Sequence, residues 1–216
     1  MITLHHVPQS RSMRVLWLLN ELEVEFGIAP HPLDGSLRDP AFLSLSPAGR
    51  VPALEIEGER MFEATAIMEY LCEKFPERGL GRAPTDPDRM AWLVWLHFAD
   101  TVTGCVDVLR RAHAEGAAGM MRDELVRLRR CYDAIEGRLS TPVENRDYLL
   151  TSGFSACDIA VGQAVYMARH FLAIEAWPEL TAWYARITER DTFEAALPSP
   201  DAARMFTQEF YEVPNG

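Results

Sequence analysis

The stretch Ile2-Thr3-Leu4-His5-His6-Val7-Pro8-Gln9-Ser10-Arg11-Ser12-Met13-Arg14-Val15-Leu16-Trp17-Leu18-Leu19-Asn20-Glu21-Leu22 carries two hydrophobic periods in succession. Residues 2 to 6 read as a strand. Beyond the turn at Pro8, Val15, Leu18, Leu19 and Leu22 recur at i, i+3, i+4 and i+7, the stripe of an amphipathic helix. A weaker strand follows near residues 25 to 31, where Pro30 and Pro32 withhold ladder donors and so mark a sheet edge or a strand end. In Pro52-Ala53-Leu54-Glu55-Ile56-Glu57-Gly58-Glu59-Arg60-Met61-Phe62, Leu54 and Ile56 share one face, Glu57-Gly58 is a tight turn and a short strand returns, which makes a β-hairpin. Ile67, Tyr70, Leu71 and Phe75 then follow at helical spacing until Pro76 ends the helix. The order is β-α-β, a short irregular or helical stretch, then β-β-α.

The run from Pro76 to Pro87 is rich in Pro and Gly and has no period, the composition of a linker. The chain therefore divides into an α/β domain at 1–76, a linker at 77–87 and a second domain at 88–216. In that second domain Met90 to Ala114, Asp123 to Leu139, Ser155 to Phe171 and Pro178 to Arg190 carry helical stripes, which makes it an all-α bundle. Ser155-Ala156-Cys157-Asp158 places a hydroxyl three residues before an acid that can bond back, a capping box that builds the fold rather than catalyses.

Composition excludes several classes. Of 216 residues 48% are hydrophobic and 25% charged, the balance of a globular protein with a real core. A net charge of −11 with no dense Lys/Arg cluster repels phosphate backbones, so nucleic acid is not the expected partner. The N-terminus lacks the basic start and apolar core of a signal peptide, and no apolar run reaches a membrane span, so a cytoplasmic location away from membranes is expected. Cys72, Cys105, Cys131 and Cys157 form no C-x-x-C pair, and their helical settings point to packing rather than zinc or dithiol chemistry. His5 and His6, adjacent on a strand, point to opposite faces, and the other histidines are scattered, so no metal is expected.

Three places converge on one end of the sheet. The turn from Pro8 to Val15 leads into a helix whose N-terminus offers unpaired N–H groups and a partial positive charge to an anion; Ser10 or Ser12 there either caps the helix or donates to a ligand. In Arg50-Val51-Pro52-Ala53-Leu54 the X-Pro bond is the one kind for which cis is cheap. A cis bond would turn the Val51 backbone outward to pair with a bound peptide, whereas a trans bond would be an ordinary strand start. Glu63, opening the next helix, either accepts from a ligand ammonium or complements the helix dipole.

These segments resemble the cytosolic glutathione transferase family over nearly the whole chain. The matching pieces are Ser10-Arg11-Ser12-Met13-Arg14-Val15-Leu16-Trp17-Leu18-Leu19, Arg50-Val51-Pro52-Ala53-Leu54 and Glu63-Ala64-Thr65-Ala66-Ile67-Met68-Glu69-Tyr70-Leu71 in the first domain. In the second they are Phe154-Ser155-Ala156-Cys157-Asp158-Ile159-Ala160 and Trp177-Pro178-Glu179-Leu180. The resemblance, closest to serine-type bacterial members, implies a thioredoxin-like first domain that binds glutathione as co-substrate. It also implies a helical second domain that forms much of the electrophile pocket, and a homodimer serving detoxification.

Carried over by position, Val51 beside a cis Pro52 pairs with the cysteinyl part of glutathione. Glu63 and the Ala64 N–H hold the γ-glutamyl end, Arg50 approaches the glycyl carboxylate, and Ser10, with Ser12 in reserve, stabilises the thiolate. A thiol of reference pKa about 8.5 is only a few per cent ionised at neutral pH, so a hydroxyl donating to the sulfur matters to its reactivity. Where many members have a hydroxyl after the acid this chain has Ala64, and Thr65 stands one position late, which weakens the hold on the γ-glutamyl carboxylate. Two readings follow: a transferase that adds the thiolate to a small hydrophobic electrophile, or a glutathione-binding or regulatory protein of the same fold with little transfer activity. The turn has no cysteine, so disulfide exchange lacks a nucleophile. Trp92, Trp95, Phe98 and Cys105 either line the acceptor pocket or belong to the core.

Overall fold

The structure is a computed structural model and describes residues 1–141 and 147–214. The chain falls into two compact units, Met1–Ala83 with Arg190–Met205, and Pro84–Glu189 with Phe206–Gly216.

In the first unit β1 (Ile2–His6), α1 (Ser12–Leu22), β2 (Phe26–Pro30), α2 (Pro40–Leu43), β3 (Ala53–Ile56), β4 (Glu59–Phe62) and α3 (Ala64–Lys74) follow in chain order. The sheet order is β2-β1-β3-β4, with β2 parallel to β1 and the other pairs antiparallel. The proline-bearing β2 takes an edge, where a missing N–H costs no ladder bond. Glu57 and Gly58 turn the hairpin with φ of 55° and 88°, the paired positive angles of a type I′ turn, which matches the twist of the strands it joins. Leu4 and Leu54 from the sheet, Val15, Leu18, Leu19 and Leu22 from α1 and Ile67, Met68 and Leu71 from α3 are all fully buried.

The span 190–205, which the sequence pattern ran into the helical part, joins this first unit. Its short helix α8 (Asp191–Glu194) packs on α1. Arg190 grips Glu21 through Nε at 2.5 Å and Nη2 at 2.7 Å. The Trp17 indole donates to Thr192 Oγ1 at 3.2 Å and meets the Phe193 ring edge-on at 4.8 Å. Trp17 and Glu21, outside the α1 stripe, gave no hint of partners 175 and 169 residues away.

The second unit holds α4 (Arg89–Ala114), α5 (Ala118–Ser140), α6 (Ala156–Ala168) and α7 (Pro178–Thr188). α6 packs on α4 and α7 and is buried all round, with only Tyr166 partly exposed. Ser155 and Asp158 close the expected capping box: Ser155 N–H donates to Asp158 Oδ2 at 2.9 Å and Cys157 N–H to Ser155 Oγ at 3.3 Å. Asp158 does more than cap. Its Oδ1 accepts from Leu149 N–H and Trp183 Nε1–H, both at 2.9 Å, so one carboxylate ties α6 to the segment before it and to α7. All four cysteines are buried and free, and Cys157 Sγ donates to the Trp92 carbonyl at 3.0 Å.

Candidate functional site

Sheet register brings the three sites to one end. His5 stands opposite Ala53, and Ala53 opposite Phe62. The chain leaving β1, the chain entering β3 and the chain leaving β4 therefore emerge together, carrying the turn with Ser10, the Val51–Pro52 pair and Glu63.

The Val51–Pro52 peptide is cis, and Pro52 is buried while Val51 is half-buried. Among the described residues neither the Val51 N–H nor its carbonyl has a backbone partner, because pairing with β1 begins only at Ala53. Arg50 is exposed. Glu63 is also exposed, and its φ of 76° with ψ of 111° is a region that non-glycine residues rarely occupy. Its side chain makes no capping bond to α3. Gln9, in the turn before Ser10, has a φ of 61°. Unfavoured backbone of this kind costs on the order of 1–3 kcal/mol and gathers at ligand-binding positions. Ala64 and Thr65 are both buried at 4% exposure.

The β1–α1 turn differs from its expectation in one respect. The first amides of α1 are already used: Ser12 N–H donates to Ser10 Oγ at 3.2 Å, Met13 N–H to the Ser10 carbonyl at 3.0 Å and Arg14 N–H to the Arg11 carbonyl at 3.3 Å. The helix thus offers an anion its dipole and the Ser10 hydroxyl rather than a set of unpaired amides. Ser10 is 5% exposed and Ser12 not at all. Ser10 Oγ donates to the Val7 carbonyl at 2.8 Å or pairs with Ser12 Oγ at 2.7 Å, and Ser12 Oγ reaches His6 Nδ1 at 2.8 Å. Burial pushes the His6 pKa down to about 4, so this imidazole is neutral at physiological pH.

His6 escaped the sequence reading, which weighed the two histidines as metal ligands and gave neither a part beside the serines. Strand alternation held the missing signal, since His6 shares a face with Ile2 and Leu4 and so turns toward α1. His5 turns the other way, its Nε2 to Glu55 at 3.0 Å and its Nδ1 to His31 Nε2 at 2.9 Å, with Phe42 against both rings. In the second unit Trp92 is fully buried core, while Trp95 and Phe98 are half-buried with rings 5.3 Å apart. Among the described residues no group of three or more His, Cys, Asp or Glu is placed to hold a metal ion, and no helix is long and apolar enough to cross a membrane.

Comparison with known proteins bears on the family of both parts of the chain. Residues 4–79 match the family model described as glutathione S-transferase, N-terminal domain, and residues 96–191 the one described as glutathione S-transferase, C-terminal domain. Glutathione S-transferase 3 of Zea mays is 30% identical over 92% of this chain and 96% of its own. Among solved structures, glutathione transferase F7 from Populus trichocarpa superposes with a TM-score of 0.77 at 25% identity over 91% of this chain and 97% of that one. Ure2p in complex with glutathione superposes with a TM-score of 0.80 at 21% identity, with the same coverage of both chains.

Proposed function

The chain belongs to the cytosolic glutathione S-transferase family, with a thioredoxin-like first unit and a helical second, and we propose that it activates glutathione as a thiolate for attack on a small hydrophobic electrophile. The observation that carries this reading is the emergence of the Ser10 turn, the open backbone of Val51 and the strained, exposed Glu63 from one end of the sheet.

Each feature has a part of the ligand to meet. The cysteinyl residue of glutathione pairs its main chain with Val51 N–H and C=O as an added strand beside Pro52. Glu63 accepts from the γ-glutamyl ammonium, the Ala64 N–H at the start of α3 meets the γ-glutamyl carboxylate, and Arg50 meets the glycyl carboxylate. That leaves the sulfur at the β1–α1 turn, where the Ser10 O–H donates to it. A hydrogen bond to an anion is stronger than one to its neutral form, so the donor lowers the thiol pKa.

The thiol proton passes to water. The thiolate then forms a bond to the electrophilic carbon, and the leaving group departs with its electron pair or, in an addition, the neighbouring atom that receives the displaced electron pair takes up a proton. The domain division at residues 77–87, a homodimer, a detoxification role and a cytoplasmic location belong to the same proposal. Glutathione is the only co-substrate it requires.

Assay of the purified protein with glutathione and a chloronitrobenzene tests the reading. Saturable conjugation is expected, and failure both to bind glutathione and to accelerate conjugation would end it. Ala64 favours a second reading, a glutathione-binding regulator, because no hydroxyl follows Glu63. Binding without turnover across a broad acceptor panel is the outcome expected of that alternative.

A further inference from the structure

We propose that His6 is a positioning residue for the Ser10 hydroxyl: a proton on His6 Nδ1 fills the last acceptor site of Ser12 Oγ and so turns the Ser10 O–H from Ser12 toward a bound sulfur. The proposal rests on the placement of the glutathione sulfur beside Ser10.

The groups stand in series. His6 Nδ1 lies 2.8 Å from Ser12 Oγ, which lies 2.7 Å from Ser10 Oγ. Val7 N–H donates to Ser12 Oγ at 3.1 Å, and the Val7 carbonyl is within reach of the Ser12 hydroxyl at 3.1 Å and the Ser10 hydroxyl at 2.8 Å. His6, Ser12 and Ser10 are 7%, 0% and 5% exposed, so bulk water does not substitute freely for any of them.

A hydroxyl has one proton to give and two lone pairs to fill. Val7 N–H takes one lone pair of Ser12. The other accepts from His6 or from Ser10, and not from both. With the neutral imidazole protonated at Nε2, Ser12 donates to Nδ1 and its remaining lone pair draws the Ser10 proton inward. With the proton at Nδ1, that lone pair is filled, Ser12 donates to the Val7 carbonyl and the Ser10 proton is turned away from Ser12. In the second state Ser10 has no bond to Ser12 to give up, and the sulfur competes for its proton with the Val7 carbonyl, which Ser12 then also occupies. Burial keeps His6 neutral at physiological pH, so its single ring proton must choose between the two nitrogens. No covalent bond to the ligand is made or broken by this device. Strand alternation explains why His6 and not His5 serves it, since His5 is engaged by His31 and Glu55 on the opposite face.

The test titrates the ultraviolet absorbance of bound glutathione thiolate in the wild type, His6→Asn, His6→Leu, Ser12→Ala and the double variant His6→Leu/Ser12→Ala, with the affinity for S-methylglutathione as a control. His6→Leu is expected to raise the bound thiol pKa and lower kcat near neutral pH roughly tenfold, the scale of one hydrogen bond to an anion, with S-methylglutathione affinity unchanged. His6→Asn, whose amide can donate from near the Nδ1 position, is expected to restore both. In the Ser12→Ala background the His6→Leu effect on the thiol is expected to vanish.

A His6→Leu shift that persists without Ser12, or no shift in His6→Leu at all, would overturn the proposal. Should His6→Leu fail to fold, the 15N spectrum of wild-type His6 in the glutathione complex decides: a protonated Nδ1 is expected, and an unprotonated one overturns it. A wild type that leaves the thiol acidity unchanged would instead remove the functional reading on which the proposal depends.

Discussion

In the proposed complex Ser10 meets the central cysteinyl sulfur and Glu63 the γ-glutamyl end, so substitutions there should separate rate from affinity. Ser10→Ala removes the donor to the sulfur, so kcat is expected to fall about ten- to a hundredfold with glutathione affinity changed by less than about threefold; steady-state kinetics with varied glutathione checks it. The reverse pattern would move the role elsewhere. Glu63→Ala should weaken glutathione binding by about one to two decades in a calorimetric titration, since a bond to an ammonium is lost. Glu63→Gly should lose the same affinity yet be more stable than Glu63→Ala by about 1 kcal/mol, because a φ of 76° suits a residue without Cβ. His6 adds a pH signature to stability. Its folded pKa, about 4, lies below the reference 6.5, so the unfolded chain binds the extra proton and the contribution is whole above pH 6.5 and lost as pH falls toward 4. That loss amounts to about 1.4 kcal/mol per pH unit, and His6→Asn should flatten the urea midpoint over that window.

Among the elements, α6 shows how far a local motif can be trusted. Ser155→Ala should cost about 1 kcal/mol, the ordinary worth of a cap. Asp158→Ala should cost about 3 kcal/mol or more in urea denaturation, because it strands the buried N–H groups of Ser155, Leu149 and Trp183 together. The box was legible because its two members are three residues apart; the bonds to Leu149 and Trp183 were not, since no local spacing encodes them. The same division runs through the first unit. The stripe of α1, the proline-bearing edge strand, the Glu57-Gly58 turn and the helix that stops before Pro76 all follow from period and turn chemistry, and all are present. The use of the first α1 amides by Ser10 and Arg11 depends on how tightly the turn closes, and the His6–Ser12–Ser10 series on side chains meeting across a strand and a helix, neither of which a one-dimensional pattern holds.

At the scale of the whole molecule, the segment 190–205 shows that chain order and compact units do not coincide. Arg190→Ala removes the charged partner of Glu21, whose side chain is only 6% exposed and keeps its bonds from Trp17 and Thr192, while Arg190 itself is 37% exposed and so partly screened. The variant is expected to lose about 2 kcal/mol and to speed hydrogen exchange in α1 while leaving α5 protected. Uniform acceleration in both helices would argue against this assignment of 190–205. The net charge of −11 and the absence of a basic cluster fit a small neutral or weakly charged acceptor better than a polyanion. Everything functional depends on the protein making a bound sulfur more acidic than it is in water. Spectroscopic titration of the glutathione complex tests that most directly: the thiolate band is expected to persist at least about one pH unit below the reference thiol value near 8.5. A bound thiol that ionises with its free-solution pKa would contradict it.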